Sequence, residues 1–140
     1  MVSTNEIVVI DYDTDDLEMI RDILKELGYN NKIVCFDDSS AAFDYLAEPE
    51  TWPFIIICEL NMPLVSGTEL RAMILADPVI NLKSIPFIFF TTIKSNDTVV
   101  EAYKGYIQGY FRKSKTYSDY TQTIKGIMDY WTTSLTPEHG

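Results

Sequence analysis

The sequence predicts a single doubly wound α/β domain, a five-stranded parallel sheet with five flanking helices. Two observations carry this. Short β-branched or aromatic runs alternate with longer stretches whose apolar residues recur at helical spacing. The third and fourth runs, "FIIICEL" and "IPFIFFTT", are apolar almost throughout, as strands covered on both faces by crossover helices must be.

The elements follow in order. "EIVVID" (6–11) is a first strand ending in acid. "DDLEMIRDILKELG" (15–28) places Leu17, Ile20, Ile23, Leu24 and Leu27 on one helical face, with Asp13 to cap it, Asp16 three residues on, and Gly28 to stop it. "NKIVCF" (31–36) is a second strand, and "SSAAFDYLAE" (39–48) a second helix with serines able to cap it and Pro49 just beyond. "FIIICEL" (54–60) and "SGTELRAMILAD" (66–77) are the third strand and helix. "IPFIFFTT" (85–92), "NDTVVEAYKGY" (96–106) and "QGYFRKS" (108–114) are the fourth strand, fourth helix and fifth strand. "YSDYTQTIKGIMDYWT" (117–132) closes the fold with Tyr120, Ile124, Ile127 and Trp131 inward. No repeat or linker interrupts the pattern, so residues 1–133 form the domain and 134–140 a flexible tail.

The 140 residues suffice for a core without disulfides or metals. A formal charge of -10 repels the phosphate backbone and argues against nucleic acid as a partner. Cys35 and Cys58 lack metal-ligand spacing and read as buried thiols of a reducing compartment. The apolar runs are too short to span a bilayer and the N-terminus has no signal pattern, so a cytoplasmic location without membrane contact is expected.

Sites in open parallel sheets form beyond the carboxyl ends of the strands. Those ends deliver Asp11, Tyr12 and Asp13, then Glu59 and Asn61, then Thr91 and Thr92, and finally Lys113. Two carboxylates, a hydroxyl and an ammonium would share one edge. A buried Asp11 needs a cation, which Lys113 or a metal could supply. A plain Glu59–Lys113 ion pair and a Thr91 hydroxyl bonded to nearby backbone remain open as purely structural roles.

The pieces "VVIDYDTDDLEMI", "FIIICELNMPLVSG", "IPFIFFTT" and "GYFRKSK", in that order, resemble the receiver domain of two-component response regulators from about Glu6 to Trp131. The resemblance implies a flavodoxin-like sheet of strand order 2-1-3-4-5 and a non-enzymatic role in phosphorelay signalling, with a histidine kinase or downstream effector as partner. It places a phosphoacceptor at Glu59 and Mg²⁺ ligands at Asp11, Tyr12, Glu59 and the Asn61 carbonyl. It makes Thr91 and Tyr110 the switch residues and Lys113 a phosphate contact.

Four positions depart from that pattern. Glu59 replaces aspartate, and its extra methylene shifts the carboxylate roughly 1.3 Å along the pocket, where an error of about 1 Å can cost on the order of 100-fold in transfer. Tyr12 replaces an acidic Mg²⁺ ligand and leaves any metal site weakened. Thr92 adds bulk at the pocket entrance. Ser114 replaces a proline, so the Lys113–Ser114 bond should be trans or its loop remodelled. Together they imply a stand-alone pseudo-receiver, with no firm cofactor, that acts as a protein-binding module. A functional phosphoacceptor is the alternative. A flavodoxin-like small-molecule binder is a further one, although no phosphate-cradling glycine loop follows the first strand. Tyr103, Tyr106, Tyr110, Tyr117, Tyr120 and Tyr130 cluster on the fourth helix, fifth strand and fifth helix, about half covering core and the rest suiting a homodimer or partner face.

Overall fold

The computed structural model describes residues 5–137. Strands β1 (Ile7–Ile10), β2 (Ile33–Phe36), β3 (Ile55–Cys58), β4 (Phe87–Thr91) and β5 (Gly109–Arg112) form one parallel sheet of order β2-β1-β3-β4-β5. Around it lie α1 (Thr14–Glu26), α2 (Ser39–Ala47), α3 (Gly67–Ala76), α4 (Pro78–Leu82), α5 (Asn96–Lys104) and α6 (Tyr117–Thr133). The sequence pattern leads to five helices, and the described residues form six. The sixth is α4, a single short turn in a stretch between the third helix and fourth strand to which the sequence pattern assigns no element. Asp77 ends α3 and caps α4 by accepting from the amides of Val79 and Ile80, and Pro78 starts the new helix at N1.

Two apolar layers sandwich the sheet. Alternate strand residues pack on one side against α2, α3 and α4 and on the other against α1 and α6. On α6, Tyr120, Ile124 and Ile127 are buried as expected, joined by Met128, while Trp131 is only partly covered. Cys58 lies in a central strand and is fully buried, but Cys35 sits on edge strand β2 and is only partly buried; both are free thiols.

Gly28, at φ +88, ends α1 in the left-handed conformation expected of it. The second helix corrects a detail of capping. Asp38, not a serine, accepts from the Ser40 amide, and the buried Ser39 hydroxyl has no partner. Ser66 and Glu69 form a reciprocal capping box at α3.

Two buried cations, unforeseen in the sequence, fasten helix ends. Lys83, after α4, donates to the carbonyls of Leu46, Glu48 and Thr51 at 2.7, 2.8 and 2.6 Å, so all three ammonium protons hold the end of α2. Arg71 on α3 donates to Gly105 and Tyr106 carbonyls and lies 5.1 Å over the Phe87 ring, fixing the end of α5. Of the expected flexible tail, 138–140 lie outside the described residues. No helix among those residues is long and apolar enough to cross a membrane.

Candidate functional site

Sheet register brings the site together. Ile10 pairs with Cys58, so Asp11 and Glu59, the next residue on each strand, stand side by side; the Glu59 amide continues the ladder to the Ile10 carbonyl at 2.8 Å. On the other flank Thr91 pairs with Arg112, and the Lys113 amide bonds the Thr91 carbonyl at 2.7 Å. The fold thus fixes the backbone of all three charged residues before any side-chain contact is made.

Gly67 keeps the β3 exit in place. A Cβ there would lie 2.6 Å from the Glu59 carbonyl oxygen and 2.7 Å from the Phe89 ring, closer than atoms tolerate. The Gly67 amide donates to the Leu60 carbonyl at 2.8 Å across that close approach. Between them the turn passes through Leu64, exposed and left-handed at φ 65.

Lys113 is the hub. Its ammonium donates to Asp11 Oδ2 at 2.5 Å, to Glu59 Oε1 at 3.1 Å and to Asp16 Oδ2 at 3.1 Å, one acceptor for each proton. Asp11, Glu59 and Lys113 are all buried. The remaining oxygens are also engaged: Asp11 Oδ1 accepts from the Asp13 amide at 3.0 Å and Glu59 Oε2 from the Asn61 amide at 3.1 Å. Burial opposes the charge on Lys113, but the Asp11 hydrogen bond and the charges of Asp11, Glu59 and Asp16 outweigh it and hold the ammonium above the usual lysine range. Burial pushes the Asp11 carboxyl up, with Lys113 opposing. The Cys58 thiol behind the site is driven well above its ordinary value, chiefly by burial.

The other sequence-selected residues divide. Thr91 is buried, and its hydroxyl accepts from the Ile93 amide at 3.4 Å, the backbone role left open above. Tyr110 turns inward, donating to the Ile93 carbonyl at 2.5 Å and meeting Phe89 edge-on. Tyr12 is half-exposed at the rim and Thr92 is exposed. Asp13 caps α1 by accepting from the Asp15 amide at 2.9 Å. The peptide bond after Lys113 is trans, in line with the loss of proline.

Asp16 is the site residue that sequence reasoning missed. Its position suggests a share in capping α1, yet it faces the sheet and joins both Lys113 and Tyr120. The available signal is its place in the first turn, one helical turn past Tyr12.

Mg²⁺ requires oxygens free to take up octahedral coordination. Here every carboxylate oxygen of Asp11 and Glu59 already accepts a hydrogen bond, a lysine ammonium stands between the two groups, and Tyr12 supplies no carboxylate. Among the described residues no group of three or more His, Cys, Asp or Glu is placed to hold a metal ion. This donor set does not fit the divalent-cation site that the resemblance implies. Two surface cavities, of about 450 and 310 Å³, open elsewhere, lined by residues such as Trp52, Lys83 and Pro86 in one and Arg71, Gln108 and Trp131 in the other.

Comparison with known proteins shows the family and the fold. A model of the response regulator receiver domain matches residues 7–125. Response regulator Rcp1 of Synechocystis sp. is 26% identical over 135 residues, covering 93% of this chain and 90% of the relative. The Mn²⁺-bound form of Rcp1 superimposes with a TM-score of 0.83 at 26% identity, over 96% of this chain and 99% of that one. The phosphorylated cyanobacterial phytochrome response regulator RcpA does so with a TM-score of 0.83 at 27% identity, over 96% and 98% of the two chains.

Proposed function

The chain belongs to the response regulator receiver domain family, and from that membership we propose that it serves two-component signalling as a pseudo-receiver, one that binds other proteins without accepting a phosphoryl group in the usual way. Receiver domains are signalling modules that meet kinases and effectors, in general without an enzymatic reaction of their own. The observation that carries the finer reading is the Lys113 ammonium, which spends its three protons on Asp11, Glu59 and Asp16.

In-line attack on a phosphodonor needs a nucleophile held within a fraction of an ångström of its path. Glu59 is instead tied at both oxygens, to Lys113 and to the Asn61 amide. The ammonium sets its positive charge directly against both carboxylates. Glu59 then acts as a permanent charged group that fixes one conformational state.

Incubation with acetyl phosphate or beryllofluoride plus Mg²⁺, followed by intact mass and tryptophan fluorescence, tests this. The expected result is an unchanged mass and spectrum. A stable gain of one phosphoryl group overturns the reading in favour of a functional acceptor.

The docking surface in this reading is the α5–β5–α6 face, the fourth helix, fifth strand and fifth helix of the sequence pattern. Tyr103 and Tyr106 are exposed there, as is Tyr130 on α6; Tyr110 and Tyr120 turn to the core, and the exposed Tyr117 donates its hydroxyl to Glu26 of α1. Exposed tyrosines suit a partner protein or a second copy of the chain. Light scattering across a concentration series tests the second copy, and a strict monomer would overturn it.

A further inference from the structure

Tyr120 lies on α6 with its ring 3% exposed, packed edge-on against Phe90 at 4.9 Å. A phenol buried that deeply needs a hydrogen-bond partner. It has one: its hydroxyl donates to Asp16 Oδ1 at 3.0 Å, while the other oxygen of Asp16 accepts from Lys113 at 3.1 Å. The same ammonium reaches Glu59, and it lies 5.9 Å over the ring of Phe90, on which Tyr120 packs. An unbroken line of charge-assisted bonds therefore runs from the β3 carboxylate into the interior face of α6.

We propose that Asp16 is a positioning residue of this site and that the Glu59–Lys113–Asp16–Tyr120 chain couples the charge at the end of β3 to the placement of α6. This deepens the pseudo-receiver reading and rests on it for the identity of the site. The physics is a shared donor. The ammonium divides three protons among three carboxylates, and Tyr12 leaves the rim without one. Removing the charge of Glu59 draws the ammonium toward Asp11 and Asp16. The strengthened Lys113–Asp16 pair alters what Asp16 can offer to the Tyr120 hydroxyl. Glu59 and Tyr120 feel each other although neither bonds to the other.

A capping or surface acid in the first turn of α1 would give no such link. Substitutions at distant sites with no shared partner add in free energy, whereas members of one network do not. Glu59→Gln keeps the shape of the side chain, and Tyr120→Phe keeps the packing on Phe90 while deleting the hydroxyl.

The test is a double-mutant cycle on Glu59→Gln and Tyr120→Phe, read as unfolding equilibrium constants, and repeated in an Asp16→Asn background. The expected result is a departure from multiplicativity of threefold or more in the native background that falls below threefold once Asp16→Asn is present. A departure below threefold in the native background overturns the coupling. One that persists undiminished with Asp16→Asn overturns the part given to Asp16.

Amide spectra give a second reading that needs no unfolding. Glu59→Gln should shift amides in the first two turns of α6, and should leave them in place when Tyr120→Phe is also present; unchanged α6 amides in the single variant overturn the proposal. Failure here is distinct from failure of the pseudo-receiver reading. A phosphoryl mass gain would overturn that reading and leave the cycle as measured, and an additive cycle would overturn the coupling and leave the mass result as measured.

Discussion

Lys113→Met isolates the electrostatics of the site. Methionine keeps the length and apolar stem of lysine but leaves Asp11, Glu59 and Asp16 facing one another without a cation. Those partner side chains are 3%, 9% and 21% exposed, so water can reach only Asp16 to any extent. Removing one member of a buried pair costs about 3–5 kcal/mol, because the remaining charge is stranded. Against a total stability of about 5–15 kcal/mol this is a large fraction. With a urea dependence of about 2 kcal/mol per molar, the unfolding midpoint should fall by roughly 2 M. Tryptophan fluorescence in urea at neutral pH measures it. Adding Glu59→Gln to Lys113→Met should recover about 1–2 kcal/mol by removing one of the stranded charges. High salt should change the loss little, since buried pairs are weakly screened. A loss below about 1 kcal/mol, or one that salt abolishes, would show that the ammonium is not the keystone of a buried network.

Three further outcomes are expected. Tyr12→Asp with Glu59→Asp should restore a response to Mg²⁺ and phosphodonor, read by intact mass; no response would place the obstacle at Asp16, Thr92 or the Ser114 loop. Lys83→Met should cost about 2–4 kcal/mol in urea unfolding by stranding three carbonyls at the end of α2, and a neutral result would refute that pinning role. Because the folded-state pKa of Lys113 is raised, its contribution is whole below the unfolded value near 10.5. It is lost as pH rises through the higher folded value, so the stability gap between native protein and Lys113→Met should close only above about pH 10.5.

The strands were legible because burial on both faces leaves a signal that little else imitates. β3 and β4 are wholly buried, and their runs are apolar throughout. The carboxyl ends were legible for the same reason, since topology fixes where a strand delivers its next residue. What stayed hidden depends on side-chain direction. Asp77-Pro78 is itself a cap followed by an N1 proline, but the five residues of α4 are too few to show a helical period. Lys83 and Arg71 look like ordinary surface cations, because nothing local announces a bond to a carbonyl some thirty residues away.

Asp16 shows how a site can shift within a fold that does not. At Tyr12 the chain lacks a carboxylate where the family carries one, and an aromatic ring stands half-exposed at the rim instead. One helical turn later Asp16 brings a carboxylate to the same ammonium from a different element. Three acids therefore surround Lys113, and they close upon it. The second oxygens of Asp11 and Glu59 go to local backbone amides, whereas that of Asp16 meets Tyr120. Asp16 thus links the ammonium of the site to α6. Replacing Glu59 and Tyr12 by aspartate leaves Asp16 still sharing the ammonium. Adding Asp16→Asn to that double replacement should raise the extent of phosphodonor labelling, and an unchanged extent would separate Asp16 from the chemistry and leave it to α6 alone.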